Sequence, residues 1–263
     1  MKFDFSGQVA LFSGAASGMG LLASRCFVEA GGSVVMTDIN REMLDEKVAE
    51  INEIRKGAAV GVLCDVRDYA QICHARDVAV EQYGRIDLVS SFAGGAEMRM
   101  LKVPVAEFPD VPIEVYDWSI DVNLKGQIYF DHAVLSQMRK QQSGVIVHIG
   151  SVTGEEGCKY NVGYATAKSA AMNGLTRSIA QYGAKHGIRC VCVAPGPVLT
   201  REAMANMKTA LGRAAEPQEI VDLILYLASP EGSFFNGVNL LIDGGRTVLL
   251  DKVHGIEKKG EKK

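Results

Sequence analysis

The feature that most constrains the fold of this chain is a short apolar run that recurs seven times, separated by longer stretches of helical periodicity. Parallel strands need a long crossover between them, usually a helix, so this alternation predicts parallel βα units. The runs are nearly continuous in Val, Ile and Leu, which is typical of a sheet buried on both faces. The predicted strands are Val9–Ser13, Ser33–Thr37, Ala59–Cys64, Ile86–Phe92, Val145–Ile149, Ile188–Val193 and Val238–Ile242.

Helical periodicity fills the segments between these strands. Leu44, Val48 and Ile51 recur at steps of four and three, as expected for one buried helix face. The sequence therefore predicts an α/β fold, a Rossmann-like, three-layer, doubly wound parallel sheet of about seven strands. No repeat or linker divides the chain, so we expect a single domain over residues 1–250 and a flexible, Lys-rich tail over residues 251–263.

Composition and charge narrow the possible partners. The net charge is −3 and the basic residues are scattered, which argues against a nucleic-acid surface. No apolar stretch approaches the roughly 18–20 residues that span a bilayer, and the first residues do not resemble a signal peptide, so we expect no membrane partner and a cytoplasmic location. The six cysteines form no C-x-x-C pair and no metal-ligand cluster, so we expect buried, reduced thiols and no metal.

A glycine-rich turn follows the first predicted strand and opens a predicted helix. Its spacing is G-x-x-x-G-x-G, and glycines there let the backbone turn sharply and approach a pyrophosphate at the helix N-terminus. Three glycines alone would also fit any tight turn between a strand and a helix. The residues of this turn that we predict to bind a dinucleotide are Ser13, Gly14, Ser17, Gly18, Met19 and Gly20.

Asp38 ends the second predicted strand, where a carboxylate can accept hydrogen bonds from a ribose diol. Its charge would repel the extra phosphate of NADP, and neither Ser17 nor Ile39 is basic, so NAD is the favoured cofactor. The alternative is that Asp38 caps the next helix, with Asn40 as a competing cap. Asp65 and Val66 follow the third strand, where they can contact the adenine, although Asp65 could also be a helix cap.

Three residues at the other end of the predicted site suggest acid/base chemistry. Tyr164 and Lys168 are spaced i, i+4 on one predicted helix, so the ammonium can stabilise a phenolate and lower the pKa of the phenol. The same spacing also occurs on ordinary helix surfaces. Ser151 lies just past the strand Val145–Ile149, where its hydroxyl can donate a hydrogen bond to a substrate oxygen.

Together these motifs resemble the short-chain dehydrogenase/reductase family in its compact single-domain form. Residues 13–20 resemble the family's T-G-x-x-x-G-x-G, Tyr164 and Lys168 its Y-x-x-x-K, and Ser151 stands at the usual offset of thirteen residues. The resemblance covers about residues 5–245. It implies that residues 1–250 form an NAD-binding catalytic domain whose catalytic residues are Asn123, Ser151, Tyr164 and Lys168.

The resemblance assigns further roles. Asn123 would position a water that relays the proton, and Lys168 would also hold the nicotinamide ribose. Helices at about 123–142 and 164–185 would pair in a homo-oligomer, either a dimer or a tetramer. Cofactor contacts implied at the nicotinamide end are Ala93, Gly94, Pro195, Gly196, Val198 and Thr200, in addition to Tyr164 and Lys168.

Three features depart from the family pattern. The family usually has N-N-A-G after the fourth strand, where this chain has Ser91-Phe92-Ala93-Gly94. The segment Gly94–Tyr116 contains three prolines and no predicted element, and it looks longer than usual. The lid segment Thr200–Leu211 looks short.

We therefore expect an NAD-dependent oxidoreductase that interconverts a secondary alcohol and a ketone, with a small molecule as substrate. Glu155, Tyr160 and Asn161 would suit a sugar or polyol, whereas Leu199, Met204 and Met207 would suit a steroid-like ring system. The residues predicted to contact the substrate are Gly95, Ala96, Thr153, Cys158, Tyr160 and Asn161.

Three alternatives remain at this point. A 3-oxoacyl carrier-protein reductase usually prefers NADPH and a basic surface, and Asp38 argues against it. A nucleotide-sugar epimerase or dehydratase has a larger C-terminal domain than the residues after Gly245 supply. A non-catalytic NAD-sensing protein would be expected to lose the Tyr or the Lys.

Overall fold

The computed structural model describes residues 3–249, so the predicted tail over residues 251–263 lies outside the described residues. Seven strands form one sheet in which every neighbouring pair is parallel. The strands are β1 (Val9–Ser13), β2 (Ser33–Asp38), β3 (Ala59–Leu63), β4 (Leu88–Ser91), β5 (Gly144–Ile149), β6 (Ile188–Pro195) and β7 (Asn239–Ile242). Their order across the sheet is β3-β2-β1-β4-β5-β6-β7.

Ten α-helices are described between these strands. They are α1 (Gly18–Glu29), α2 (Arg41–Ile54), α3 (Tyr69–Tyr83), α4 (Glu97–Met100), α5 (Ile113–Ile120), α6 (Gly126–Gln141), α7 (Thr153–Glu156), α8 (Val162–Ala170), α9 (Thr176–Ala184) and α10 (Pro217–Ala228). Within residues 3–249, no helix is both long and apolar enough to cross a membrane.

Successive side chains of the central strand enter two different cores. Ala10 and Phe12 of β1 pack with residues of α1, α2 and α10, whereas Leu11 packs with residues of α3, α6 and α9. A strand alternates its side chains between the two faces of a sheet, so each face here has its own apolar layer. The predicted three-layer, doubly wound fold is confirmed.

The order of strands reverses at β1, which pairs with β2 on one side and β4 on the other. Open α/β sheets bind ligands at the carboxyl ends of the strands beside such a reversal. At that point Ser13 of β1 lies opposite Ser91 of β4, and their hydroxyl oxygens are 2.7 Å apart in a hydrogen bond. The reversal therefore marks the place where a dinucleotide site is expected.

The segment Gly94–Tyr116 is not a structureless loop, which corrects the expectation from sequence. It contains α4, a 3-10 turn at Phe108–Asp110 and the start of α5. Met98, Val111 and Val115 form a small apolar cluster of their own. Elements of three or four residues are too short to show a helical period, so the sequence pattern missed them.

Both long helices expected from the family resemblance contain a π-helical turn. The first turn, Asp121–Lys125, joins α5 to α6, and the second, Ala171–Leu175, joins α8 to α9. Single π turns inside α-helices occur frequently at functional sites. The first of these turns carries Asn123.

The prediction of buried thiols holds for Cys64, Cys190 and Cys192, whereas Cys26, Cys73 and Cys158 are only partly buried. All six are free thiols. Cys190 and Cys192 are fully buried on the same face of β6, and burial raises the pKa of Cys192 to about 12. They are core residues rather than reactive groups.

Candidate active site

One cavity of about 560 Å³ opens at the carboxyl ends of the strands and brings most of the predicted site residues together. The predicted residues that line it at the dinucleotide end are Gly14, Ser17, Gly18, Met19, Gly20, Asp38, Ile39, Asp65 and Val66. Those that line the rest are Ala93, Gly94, Gly95, Ala96, Ser151, Thr153, Cys158, Asn161, Tyr164, Lys168, Pro195, Gly196, Val198 and Thr200.

The glycine turn has the shape that a pyrophosphate requires. Gly14 has φ +61°, and a β-carbon there would lie 2.7 Å from the backbone nitrogen of Ala93. A β-carbon at Gly18 would meet nothing within 4 Å, and the Ser17 side chain makes no capping hydrogen bond. The first N–H groups of α1 are therefore left for a ligand anion, which the positive end of the helix favours.

Asp38 is fixed at the end of β2 by two backbone groups. Its carboxylate accepts hydrogen bonds from the backbone N–H of Ala16 at 3.1 Å and from that of Asn40 at 3.0 Å. The cap of α2 is Asn40, whose side chain accepts from the Met43 N–H, so the interpretation of Asp38 as a helix cap is wrong. Ile39, beside it, is exposed.

Asp65 is also not a helix cap, since Asp68 caps α3 by accepting from the N–H groups of residues 70 and 71. The Asp65 carboxylate instead binds the guanidinium of Arg67, with Nη2 2.5 Å from Oδ2. This hydrogen bond lowers the pKa of Asp65. Arg67 is thus the basic residue of the dinucleotide end, and its charge is already paired.

Ser151, Tyr164 and Lys168 meet at the other end of the cavity. Burial raises the pKa of the Tyr164 phenol above its usual value, and this effect outweighs the opposing ones. The opposing effects are a hydrogen bond from Ser151 and the positive charges of Arg99 and Arg201. Ser151 also accepts a hydrogen bond from the Thr153 N–H at 3.2 Å, which orients its hydroxyl.

Lys168 lies beside the Tyr164 ring, one helical turn further along α8. Its Nζ lies 5.7 Å from the centre of the Tyr164 ring and donates a 2.6 Å hydrogen bond to the carbonyl oxygen of Ile149. Burial lowers the pKa of this ammonium to about 8. The positive charges that lower the pKa of the Tyr164 phenol in this structure are those of Arg99 and Arg201, and the lowering expected from Lys168 stays a prediction.

Three predicted site residues do not line the cavity. Ser13 is fully buried beneath the turn, where its hydroxyl binds Ser91. Tyr160 is 41% exposed, with the Lys159 ammonium 4.7 Å from its ring centre. Both sit outside because a strand pleat or a turn points the side chain away from the cavity, which sequence spacing alone does not reveal.

Asn123 is the third residue outside the lining. Its side chain is fully buried, accepts from the Gly95 N–H at 2.9 Å and donates to the Gly95 carbonyl at 3.1 Å. Its own backbone carbonyl accepts a 2.7 Å hydrogen bond from Gln127 Nε2. Asn123 thus holds the Gly95 backbone in place, and the water relay implied for it stays a prediction.

The sequence pattern missed several residues of the cavity. Arg99, Met100 and Trp118 come from α4 and α5, which were not predicted. The lid segment, by contrast, does reach the cavity as Met204 and Met207 indicated from sequence; it contributes Arg201, Met204 and Met207 and holds a 3-10 turn at Glu202–Asn206. Of the polar and apolar residues considered for the substrate, Asn161, Met204 and Met207 line the cavity, whereas Glu155, Tyr160 and Leu199 do not.

The sequence also matches known proteins along almost its whole length. A sequence model described as enoyl-(acyl carrier protein) reductase matches residues 14–247. A 3-oxoacyl-(acyl-carrier-protein) reductase of Thermotoga maritima is 34% identical over 254 residues, covering 92% of this chain and 98% of the relative.

The chain belongs to the short-chain dehydrogenase/reductase family. Two further relatives within it are a trans-4-hydroxycyclohexanecarboxylate dehydrogenase of Sinomonas cyclohexanicum and a 3-alpha-(or 20-beta)-hydroxysteroid dehydrogenase of Mycobacterium tuberculosis. The first is 37% identical, and the match covers 91% of this chain and 93% of the relative. The second is 36% identical, and the match covers 93% of this chain and 91% of the relative. A crystal structure of a short-chain type dehydrogenase/reductase from Mycobacterium marinum superposes with a TM-score of 0.85 at 31% identity, covering 94% of this chain and 98% of that one.

Membership of the short-chain dehydrogenase/reductase family makes this protein an oxidoreductase with a nicotinamide cofactor. The cavity includes the glycine turn, which lies at the strand reversal. Within residues 3–249, no group of three or more His, Cys, Asp or Glu side chains could hold a metal ion.

Proposed function

We propose that this protein is an NAD-dependent dehydrogenase that interconverts a secondary alcohol and a ketone, with Tyr164 as the acid/base. The observation that carries the proposal is the meeting of Ser151, Tyr164 and Lys168 in the same cavity as the glycine turn. The Ser151 hydroxyl lowers the pKa of the Tyr164 phenol, and Lys168 lies one helical turn from Tyr164. This is the arrangement that proton transfer to or from a substrate oxygen requires.

Each of these residues has a distinct task in the proposed reaction. The bound nicotinamide supplies the hydride chemistry. During alcohol oxidation, the Tyr164 phenolate removes the proton of the substrate hydroxyl, while Ser151 donates a hydrogen bond that holds the substrate oxygen. Lys168 would stabilise the phenolate and hold the nicotinamide ribose, because its ammonium lies 5.7 Å from the centre of the Tyr164 ring and, with a pKa of about 8, is mostly protonated at pH 7.

The preference for NAD over NADP rests on Asp38. Its carboxylate is anchored at the end of β2, where it would accept hydrogen bonds from a ribose diol and repel a phosphate. The neighbouring Ile39 offers no positive charge, and the Arg67 guanidinium is neutralised by Asp65. These charges support NAD as the cofactor.

For the substrate, the lining favours a ring or chain with apolar surface over a sugar. Met100, Trp118, Met204 and Met207 face the cavity, whereas Glu155 and Tyr160, which suited a polyol, do not line it. Methionine side chains adapt to irregular apolar shapes. The relatives named for a hydroxysteroid and for trans-4-hydroxycyclohexanecarboxylate both carry a ring in the named substrate, which supports the same class.

A 3-oxoacyl carrier-protein reductase is the second candidate function, because one relative carries that name. Turnover of an acetoacetyl thioester with NADPH, at a higher kcat/KM than any secondary alcohol with NAD, would favour it. Turnover of secondary alcohols with NAD and none of the thioester would favour the first proposal.

The proposed assembly is a homo-oligomer that uses the α6 and α9 faces. Ile128 and Tyr182 on these helices are 39% and 40% exposed, which leaves apolar surface there for a second copy. Light scattering of the purified protein tests this, and a monomer would contradict it.

The direct test of the activity is Tyr164→Phe, measured with whichever secondary alcohol the wild type oxidises. Loss of the phenol hydroxyl should lower kcat by about 10²–10⁴-fold, the usual contribution of acid/base catalysis. Tyr160→Phe is the matched control, because Tyr160 lies outside the cavity lining, and it should retain activity. Near-normal turnover by Tyr164→Phe would remove Tyr164 from its proposed role.

A further inference from the structure

Two arginines from different segments face the substrate end of the cavity. Arg99 lies on α4 and Arg201 in the lid segment, and both line the cavity together with Tyr164. Each of the two positive charges acts on the Tyr164 phenol, so both guanidinium groups lie within electrostatic range of the reacting oxygen. A β-carbon at Gly95 would overlap Arg99 Nη2, so that glycine leaves the space in which the guanidinium lies.

Neither guanidinium is neutralised by the protein. Within residues 3–249, no carboxylate forms an ion pair with Arg99 or Arg201, and the side-chain contact of Arg201 is a hydrogen bond to the Met204 sulfur at 3.3 Å. Both side chains are exposed to solvent, and the partial burial of Arg99 together with the charge of Arg201 lowers the pKa of Arg99. Two like charges held near each other without a counterion are unfavourable, and an anion between them would relieve the repulsion.

The carboxylates of the cavity lie elsewhere. Asp38 and Asp65 are the acidic residues of the described lining, and both belong to the dinucleotide end. Glu97, near Tyr164, has its carboxylate bound to backbone N–H groups of α8 and does not line the cavity. The charged side chains that line the substrate end are therefore all positive, namely Arg99, Arg201 and Lys168.

We propose that Arg99 and Arg201 bind the carboxylate of an anionic substrate, a hydroxy acid or oxo acid whose alcohol or ketone carbon is presented to Tyr164. The guanidinium fork matches a carboxylate in two parallel hydrogen bonds, and the methionines and Trp118 contact the apolar part of the molecule. This inference rests on the proposed function, since it specifies the substrate class for the same site.

The two arginines are not suited to the cofactor. The phosphates of a dinucleotide lie at the glycine turn, at the other end of the cavity from Tyr164, and an extra ribose phosphate would lie near Asp38. Arg67 is the basic residue at that end, and it is paired with Asp65. Arg99 and Arg201 are therefore left for the substrate.

Trp118 gives a direct test that needs no turnover. It is the only tryptophan of the chain and lines the cavity, so its fluorescence reports on ligands there. Cyclohexanecarboxylate, which has no hydroxyl to oxidise, is titrated into the full-length protein in the presence of NAD, and cyclohexanecarboxamide serves as its neutral match. We expect the carboxylate to bind at least about tenfold more tightly, as a charge-assisted hydrogen bond to arginine provides.

The variants Arg99→Met and Arg201→Met keep side-chain length and remove the charge. Each should weaken binding of the carboxylate about tenfold and leave binding of the carboxamide unchanged. Arg25→Gln, which removes a surface arginine of α1 that lies outside the cavity lining, should change neither. Equal binding of acid and amide by the wild type, no binding of the acid, or full carboxylate affinity in both variants would overturn the proposal.

A turnover arm separates this inference from the proposed function. The pair 4-hydroxycyclohexanecarboxylate and 4-hydroxycyclohexanecarboxamide is offered with NAD. A higher kcat/KM for the acid, reduced through KM in both arginine variants, supports the inference. Equal turnover of the two would overturn the inference and leave the dehydrogenase proposal intact. If the acid binds in an arginine-dependent way but no alcohol is oxidised, the carboxylate site is supported and the dehydrogenase proposal is contradicted.

Discussion

The carboxylate of Glu97 accepts a 3.0 Å hydrogen bond from the backbone N–H of Tyr164, although 67 residues separate them in the chain. It also accepts from the Gly163 N–H at 2.9 Å and from the Ser119 hydroxyl at 3.0 Å, and it is fully buried. Asn161, the residue at the N-cap of α8, makes no side-chain cap. Glu97 therefore caps the helix that carries the proposed acid/base, and its negative charge lies at the positive end of that helix.

Replacing Glu97 with Gln should weaken the cap that Glu97 forms on the N-terminus of α8. An amide can accept one of the two backbone N–H groups but presents N–H to the other, which leaves a buried donor unpaired. We expect the free energy of unfolding to fall by about 2 kcal/mol, and kcat to fall about tenfold as Tyr164 shifts. Urea denaturation and steady-state kinetics measure the two effects. Glu107→Gln, in an exposed position of the same segment, is the control and should change neither.

The pH dependence distinguishes a positioning role from a purely structural one. The charge of Glu97 raises the pKa of the Tyr164 phenol, so removing it should lower that pKa. The acidic limb of the pH profile of kcat/KM for alcohol oxidation should then move to lower pH in Glu97→Gln. An unchanged or more alkaline limb would show that Glu97 supports the fold without influencing Tyr164.

The short-range parts of the site could be predicted from the sequence. The glycine turn, the Tyr164/Lys168 spacing and the position of Ser151 after a strand are local patterns, and the cavity contains all of them. The continuous apolar runs likewise predicted the parallel strands. These patterns are visible because neighbours in sequence remain neighbours in space.

The parts that sequence did not reveal depend on distant contacts. Glu97 and Arg99 reach Tyr164 from a helix of only four residues, which has no detectable period. Ser13 and Asn123 match family motifs, yet burial turns their side chains to Ser91 and Gly95 instead of the cavity. A charged side chain acquires its partner only when the fold brings the two together, so no spacing rule predicts it.

Cofactor preference should be reversible at two positions. Asp38→Ser combined with Ile39→Arg removes the carboxylate that would repel a ribose phosphate and supplies a cation to bind it. We expect the ratio of kcat/KM for NADP to that for NAD to rise by roughly a hundredfold. Ile39→Arg alone is the control, because it retains the repelling carboxylate and should change the ratio less. A wild type that already prefers NADP would contradict the assignment of NAD.

The buried ammonium of Lys168 should make stability depend on pH in a defined window. Its pKa falls from 10.5 to about 8 on folding. Between these values the unfolded chain holds a proton that the folded protein has lost, so the free energy of unfolding rises with pH there. Below about pH 8 both states are protonated and the full cost of burial remains, roughly 3 kcal/mol at most.

Lys168→Met tests this in the cofactor-free protein. At pH 7 the variant should be more stable than the wild type by about 2 kcal/mol, because the lost hydrogen bond to Ile149 offsets part of the gain. The difference should shrink as the pH rises from 8 toward 10.5, as followed by urea denaturation at several pH values. Lys185→Met, at an exposed lysine, should show no such trend. A difference that stays constant across this range would contradict a lowered pKa for Lys168.

Phe92 occupies the position at which the family usually has asparagine, and here it is partly buried, packs against the core and lines the cavity. Its ring meets that of Phe12 edge to face, with 5.6 Å between centroids and an interplanar angle of 86°. Restoring the family residue with Phe92→Asn would remove this contact and place an amide against an apolar cluster. We expect the free energy of unfolding to fall by about 2–3 kcal/mol, from lost burial and lost aromatic pairing. Phe234→Asn, at a fully exposed phenylalanine, should be neutral in the same urea titration, and an equally stable Phe92→Asn would show that this chain has retained space for the family's asparagine.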